Sequence, residues 1–196
     1  MDTHEQSPFF ALLNRQRYIR RWSLMRSSQS ENVAEHTMQV AVIAHGLAVV
    51  GNTYFGKAYN PETAATLALF HECAEVLTGD LPTPIKYHNP VLRDAYKALE
   101  GTANEKLIDC LPACLRGAYA PLVKQTDGAE AALVKAADKL SALIKCIEEE
   151  KLGNVEFSAA KIATETAIHA LHCEEAEHFI AHFLPAFVKT LDDLFL

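Results

Sequence analysis

The sequence predicts an all-α protein that forms one domain over residues 1–196. Apolar residues recur at helical spacing, and no segment alternates between apolar and polar residues as a half-buried strand does. Hydrophobic residues make up 49% of the chain and charged residues 22%, which is the composition of a folded globular protein. A chain of 196 residues with eight glycines and eight prolines can bury one sizeable core without disulfides.

Two helices are predicted in the first quarter of the chain. The first is short and covers about Phe9 to Arg17, and an irregular arginine-rich stretch follows it. Asn32, with Glu35 three residues later, matches a capping box and opens the second helix. We expect this helix to continue to Val50 and to end at Gly51, since glycine commonly terminates helices.

Boundary signals also delimit the rest of the chain. Asn60 followed by Pro61 starts a third helix, which we expect to end at Gly79. Pro82 and Pro84 should keep the next segment stiff and non-helical. Periodicity then predicts four more helices, at about 90–110, 128–151, 157–172 and 175–194.

Composition excludes several classes of protein. The formal net charge of −7 disfavours non-specific nucleic-acid binding as the main task, so no nucleic-acid partner is expected. The longest nearly apolar run, Val40 to Val50, is too short to span a bilayer, so no membrane association is expected. Residues 1–14 lack the basic start and apolar block of a secretory signal. Five cysteines, an odd number, indicate reduced thiols and a cytoplasmic protein.

The predicted third helix carries ionisable residues where apolar ones are expected. From Leu67 to Leu77 it reads LALFHECAEVL, apolar on nearly every side, yet His71, Glu72 and Glu75 lie in its middle. Buried carboxylates need compensation, because desolvating an unpaired charge is costly. A bound cation would supply it. The alternative is that both glutamates face solvent and His71 is a hydrogen-bonded core histidine.

Two residues on other predicted helices complete a set of metal-ligand types. His36 lies on an apolar stripe with Val40, Ile43 and Leu47, so it should face the core. Asp138 flanks an apolar arc of the helix at 128–151, and the alternative is a surface aspartate that pairs with Lys135 or Lys145. Two histidines and two carboxylates form a nitrogen and oxygen set that suits a divalent cation.

These residues and the segments around them resemble a known family. His36, the pair His71-Glu72, and Asp138 match the H…HD…D layout of the HD-domain phosphohydrolases. The strings RRW, ENVAEH, HECAEVLTGDLPTPIKY and VKAADKL resemble the bacterial 5′-deoxynucleotidase branch of that superfamily. The resemblance implies a helical bundle of the HD type, a homodimer, and an enzyme that hydrolyses deoxyribonucleoside 5′-monophosphates. It also implies a divalent cofactor, with Co²⁺ or Mn²⁺ favoured.

The chain departs from the family pattern at one position. Glu72 stands where the family has aspartate, which keeps the charge and the oxygen donors but adds one methylene group. We interpret the change as a tolerated ligand swap, because Arg21, Trp22, Glu75 and Asp80 are all present around it. An altered metal preference or a weakened enzyme are the alternatives.

The resemblance implies a role for each site residue. The metal ligands are His36, His71, Glu72 and Asp138, of which His36, Glu72 and Asp138 also border the substrate. Glu75 transfers a proton, either at the attacking water or at the leaving 5′ oxygen. Arg21 grips the phosphate as a fork. Trp22 packs on the sugar and disfavours a 2′-hydroxyl, unless it is a core anchor. Asp80 accepts a hydrogen bond from the 3′-hydroxyl of the sugar, unless it is an ordinary turn residue. The pocket wall is formed by Leu81, Pro82 and Thr83.

Other interpretations remain open at the level of sequence. The chain could hydrolyse a nucleoside polyphosphate or pyrophosphate, as other HD-domain proteins do. It could also be a degenerate helical module that holds a nucleotide without turnover. Four histidines near the C terminus form a second potential metal cluster, although a solvated helix face is expected there: His169, His172, His178 and His182.

Overall fold

The computed structural model describes residues 6–86, 88–125 and 127–195, and within these ranges the fold is all-α, as predicted. The described ranges contain no β-strand, and their one isolated β-bridge joins Arg20 to Asn32. The helices are α1 (Phe9–Leu13), α2 (Val33–Tyr54), α3 (Pro61–Leu69), α4 (Glu75–Thr78), α5 (Thr83–Lys86), α6 (Pro90–Asp109), α7 (Ala113–Val123), α8 (Ala129–Lys151), α9 (Ser158–His169), α10 (Glu174–His182) and α11 (Leu191–Phe195). Short 3₁₀ turns cover Asn14–Tyr18, Val155–Phe157 and Leu184–Val188.

The start of α2 is as predicted, but its end is not. Asn32 Oδ1 accepts the backbone N–H of Glu35 at 3.0 Å, and the Glu35 carboxylate accepts the N–H of Asn32 at 3.1 Å. The helix then passes through Gly51 and ends at Tyr54. Gly51 serves close packing instead, because a Cβ there would lie 2.6 Å from the ring of Tyr59.

The predicted third helix is broken in the middle. α3 ends at Leu69, residues 70–74 form turns, and α4 begins at Glu75. Hydrogen bonds in this stretch connect residues three apart, as from Cys73 N to Phe70 O at 3.3 Å and from Glu75 N to Glu72 O at 3.2 Å. Such tightening within a helix often marks a functional hinge or a strained sequence. Gly79, with φ of +71°, ends α4 as predicted.

Three further boundaries differ from the predictions. The proline segment after Gly79 is partly helical, since Pro82 O accepts the N–H groups of the last two residues of α5. α7 was not predicted, because Gly117 and Pro121 are weak helix formers. The predicted helix at 175–194 is divided into α10, a 3₁₀ turn and α11, and Pro185 lies in that turn.

The described residues form two compact units. The first comprises 6–24, 30–37 and 69–125 and contains the first turn of α2 together with α1 and α4 to α7. Its core includes Phe9, Cys73, Leu107 and Val123. The Phe9 ring meets the ring of Tyr119 edge-on, with 5.3 Å between centroids.

The second unit comprises 25–29, 38–68 and 127–195 and is centred on α8. The apolar arc predicted on α8 is fully buried, with Leu140 and Ile144 at 0% exposure. Glu149 on the same helix is also buried, at 1% side-chain exposure, and pairs with Lys145. The Glu149 carboxylate accepts the backbone N–H groups of Ser28 at 2.8 Å and Gln29 at 3.2 Å, which holds this short segment to α8.

α2 is longer than the apolar run visible in the sequence. Its 22 residues include a stretch of mean hydropathy 1.3, so by length and composition it could cross a membrane, contrary to the estimate from Val40 to Val50 alone. However, 56% of that stretch is buried inside the protein, as in a core helix.

Candidate metal centre and active site

His71 and Glu72 lie on the turn between α3 and α4, where the helix breaks. The Nε2 of Gln16, a buried residue of the first 3₁₀ turn, donates to the backbone carbonyl of Glu72 at 3.3 Å. Cys73, the next residue, is 1% exposed and belongs to the core. The turn is therefore fixed on both sides, although nothing in the sequence pattern indicated the role of Gln16.

His36, in the first turn of α2, lies beside this turn. It is fully buried, and the centroids of the His36 and His71 rings are 5.4 Å apart. His71 Nε2 lies 3.6 Å from a carboxylate oxygen of Glu72. One potential ligand atom from each of His36, His71 and Glu72 lies within 4.8 Å of the other two. The structure thus brings together three of the four predicted metal ligands in the first unit.

The donors of this cluster fit a divalent cation. Two imidazole nitrogens and one carboxylate oxygen match the preference of zinc, cobalt and manganese for nitrogen and oxygen ligands. The side chains of His71 and Glu72 are only 9% and 20% exposed, so a cation would offset the cost of burying the carboxylate.

The fourth predicted ligand, Asp138, belongs to the second unit. It lies on α8 and is partly exposed, next to Ala137 and near Leu140 on the buried arc. This placement agrees with the prediction that Asp138 flanks the apolar arc. Its role as a ligand stays a prediction.

Glu75 is the first residue of α4 and is 5% exposed, so the alternative in which it faces solvent is wrong. The apolar segment from Leu67 to Leu77 is not buried on every side, because Leu69 and Leu77 are 48% and 46% exposed. Burial raises the pKa of Glu75 far above its ordinary value, and the nearby carboxylates of Glu72 and Asp80 raise it further. Both effects favour the protonated form of the Glu75 carboxyl.

Arg21 and Trp22 are placed beside the cluster by a short extended pairing. Arg21 N donates to Glu31 O at 3.0 Å, and Val33 N donates to Ile19 O at 3.0 Å. Trp22 then takes φ of +56°, a left-handed conformation that costs a residue with a Cβ about 1–2 kcal/mol. Such strain is often found at functional sites.

Glu31 contacts three of the predicted site residues, although it was not itself predicted from the sequence. Its carboxylate accepts the indole N–H of Trp22 at 2.7 Å and lies 3.4 Å from Nε of Arg21. It also lies 3.8 Å from Nδ1 of His36. Glu31 is the first residue of the family-like string ENVAEH, and this position was the one sequence signal that could have identified it.

Arg21 differs from the other arginines of the basic run. Its side chain is 12% exposed, whereas that of Arg26 is 97% exposed and pairs with Glu156 at the surface. The remaining members are also exposed: Arg15, Arg17 and Arg20. Only Arg21 is thus held in the interior near the histidines.

The loop that begins at Asp80 is anchored by α6. The hydroxyl of Tyr96 donates to Gly79 O at 3.1 Å, and the ammonium group of Lys86 lies 4.6 Å from the centre of the Tyr96 ring. Asp80 is partly exposed and close enough to raise the pKa of Glu75. The predicted wall residues follow it, partly buried at Leu81 and Pro82 and exposed at Thr83.

Within the part of the chain that the structure describes, the C-terminal histidines do not come together as a set of potential metal ligands. Nδ1 of His169 is 2.7 Å from Glu177, and both side chains are about half exposed. The ring of His178 stacks on Tyr54 at 4.6 Å and lies 4.3 Å from the ring of His182. Among the described residues, only the cluster around His36 and His71 has the geometry for a metal ion.

The fold is that of the HD-domain phosphohydrolases. A structure described as an HD-domain phosphohydrolase from Listeria innocua matches 93% of this chain and 89% of its own with a TM-score of 0.81 at 24% identity. A cyanophage S-2L HD phosphohydrolase, described as bound to dA and one catalytic Zn²⁺ ion, matches 91% of this chain and 95% of its own with a TM-score of 0.66 at 18% identity. At these identities the likeness establishes the fold.

Relatives in sequence identify the branch. Residues 8–187 match the family described as 5′-deoxynucleotidase YfbR-like. A 5′-deoxynucleotidase of Vibrio cholerae is 47% identical over 97% of this chain and 99% of its own length. The 5′-deoxynucleotidase YfbR of Salmonella paratyphi B is 46% identical over 97% of this chain and 96% of its own. The chain belongs to the YfbR-like 5′-deoxynucleotidase family, a hydrolase family, which confirms the resemblance inferred from the motifs.

Proposed function

We propose that this protein is a metal-dependent 5′-nucleotidase of the cytoplasm that converts deoxyribonucleoside 5′-monophosphates to deoxynucleosides and phosphate. The cluster of His36, His71 and Glu72 next to buried Glu75 is the observation that carries the proposal. Family membership and the names of the relatives support it, as does the cyanophage protein, described as holding dA and Zn²⁺ in a similar fold.

His36, His71 and Glu72 would hold a divalent cation, and Asp138 would be the fourth ligand by the match of the VKAADKL segment to the family. Co²⁺ or Mn²⁺ is the proposed ion, since both accept mixed nitrogen and oxygen ligands. When bound, such a cation neutralises phosphoryl charge and lowers the pKa of coordinated water.

Glu75 transfers the proton in this reaction. Its buried position raises its pKa, so it can hold a proton at neutral pH and release it when positive charge enters the site. As a general acid, Glu75 donates the proton to the leaving 5′ oxygen. As a general base, it accepts the proton of the attacking water. In either case the group acts from the first residue of α4, which the adjoining turn fixes.

Three groups of residues bind the substrate, at its phosphate, its sugar face and its 3′-hydroxyl. Arg21 binds the phosphate, and its side chain is held close to the cluster by Glu31. Trp22 packs on the sugar face and leaves no room for a 2′-hydroxyl. Asp80 accepts the 3′-hydroxyl, with Leu81, Pro82 and Thr83 forming the wall of the pocket.

The test is phosphate release from dAMP, dTMP and the matching ribonucleotides by protein loaded with Co²⁺ or Mn²⁺. We expect orthophosphate from the deoxyribonucleotides and far slower release from the ribonucleotides. His71→Ala should abolish bound metal, measured by elemental analysis, whereas His182→Ala should retain it and serve as the matched control. Equal rates on both sugars would refute the deoxyribonucleotide assignment. Pyrophosphate release from triphosphates would favour the alternative HD-domain activity.

We further propose that the protein is a homodimer, as the family resemblance implies. Within the second unit, the outer face of α2 carries Met38, Val42 and Val49, which are 59%, 65% and 43% exposed. Three exposed apolar side chains on one helix support association with a second copy. Light scattering should give twice the chain mass, and Val42→Glu should reduce it to the mass of one chain.

A further inference from the structure

One carboxylate links three residues of the proposed active site. Glu31 Oε2 accepts the indole N–H of Trp22 at 2.7 Å and lies 3.4 Å from Nε of Arg21. The other oxygen lies 3.8 Å from Nδ1 of His36. The Glu31 side chain is only 13% exposed, so these contacts are shielded from water. A charge-assisted hydrogen bond in such surroundings is among the stronger kinds.

The contact with Trp22 occurs where the backbone is strained. The extended pairing of 19–21 with 31–33 ends at Arg21, and the next residue turns into the left-handed region at φ of +56°. A tryptophan has no intrinsic preference for that conformation. The bond from its indole N–H to Glu31 ties the far end of the side chain back to the paired segment.

We propose that Glu31 is a positioning residue that sets the preference for deoxyribose by fixing the indole of Trp22. This inference rests on the proposed function, in which Trp22 packs on the sugar. An indole fixed at both its backbone and its N–H cannot turn aside for a 2′-hydroxyl. Removing the Glu31 carboxylate removes this hydrogen bond, so we expect the ring to gain rotational freedom and to admit ribonucleotides.

The ratio of kcat/KM for dAMP to kcat/KM for AMP isolates this role. Both substrates carry the same phosphate and meet the same metal site, so any effect of Glu31 through Arg21 or His36 cancels in the ratio. Glu31→Ala should lower the ratio about tenfold, the factor expected from one charge-assisted hydrogen bond. Glu35→Gln is the matched control, because it preserves the capping box and should leave the ratio unchanged.

A double-mutant cycle tests whether the effect passes through the indole N–H. Trp22→Phe keeps an aromatic ring but removes the donor. If Glu31 acts by holding that donor, the double variant should lower the ratio no further than either single variant. Additive losses in the ratio would overturn the proposal.

Fluorescence tests the same contact independently of activity. Trp22 is the only tryptophan of the chain, so emission reports on this ring alone. Glu31→Ala should shift the emission to longer wavelength and increase acrylamide quenching in protein free of metal and substrate, whereas Glu35→Gln should do neither.

The two measurements separate failure of the inference from failure of the proposed function. Unchanged fluorescence, or a shifted emission with an unchanged sugar ratio in an active enzyme, would overturn the role of Glu31. A wild-type protein without deoxynucleotidase activity would instead refute the proposed function, and with it the selectivity role, while the fluorescence would still report whether Glu31 holds the ring.

Discussion

Glu149→Gln should strongly destabilise the folded protein, because Glu149 is a buried carboxylate with several hydrogen-bond donors around it. The Glu149 side chain is 1% exposed and accepts hydrogen bonds from Lys145, from the backbone of Ser28 and Gln29, and from Asn154 Nδ2 at 2.8 Å. An amide cannot replace the charge, and it leaves the Lys145 ammonium buried at 9% exposure. Breaking one side of a buried ion pair costs about 3–5 kcal/mol, so we expect a loss of this size.

The neighbouring residue provides a matched control. Glu150 pairs with Lys161 at 2.7 Å, but the two side chains are 28% and 34% exposed. Partly exposed pairs contribute about 0–1 kcal/mol, so Glu150→Gln should change the free energy of unfolding by less than about 1 kcal/mol. Urea unfolding followed by circular dichroism at pH 7 measures both variants against the wild type.

The pH dependence gives an independent check on Glu149. Burial alone would raise its pKa, but the hydrogen bonds from Lys145, Ser28, Asn154 and Gln29 outweigh burial and hold the pKa well below the usual range. A lowered pKa in the folded state stabilises the protein above the unfolded value of about 4.3, and this stabilisation is lost as the pH falls further. The difference between wild type and Glu149→Gln should therefore be constant from about pH 8 to pH 5 and shrink below about pH 4. A variant as stable as Glu150→Gln, or a difference that does not depend on acid, would refute this account.

Three further predictions follow from local geometry. Gly51→Ala should lower the free energy of unfolding by about 1–3 kcal/mol, measured with urea, because the new Cβ would overlap the ring of Tyr59. Gly46→Ala on the same helix is the control, and it should be neutral or stabilising because its Cβ would meet nothing within 4 Å. Tyr96→Phe removes the bond to the loop before Asp80 and should cost about 1 kcal/mol, with Tyr18→Phe, whose ring is 64% exposed, as a silent control. Glu72→Asp should keep bound metal and change kcat by less than about tenfold; a gain from almost no activity would instead identify the natural protein as a degenerate module.

Local signals in the sequence predicted the helix starts well. Asn32 and Asn60 cap helices with their own side chains, within three residues, so short-range chemistry determines the outcome. Asn89 adds the same contact before α6, where periodicity alone had placed the start. The fold class was predicted from helical periodicity. His36, His71 and Glu75 were predicted as site residues because they are polar residues at positions where the surrounding pattern is apolar.

Features that depend on distant residues could not be predicted. Glycine is a common helix terminator, so the sequence suggested that the helix ends at Gly51. The structure instead shows that glycine is needed there because the ring of Tyr59 packs closely against it, and no local sequence pattern reveals that contact. The break at 70–74 is stabilised by Gln16, which is far away in sequence. The role of Glu31 depends on a pairing between two extended segments, and only the resemblance marked that string as unusual.

The position of Cys73 has a consequence for metal selectivity. This thiol directly follows Glu72, yet it is 1% exposed and packed in the core with Phe9 and Leu107. Burial, and then the charge of Glu72, raise its pKa to about 12, so the thiolate is scarce. We therefore expect Cys73 to provide no sulfur donor for thiophilic ions such as cadmium or mercury at the proposed metal centre.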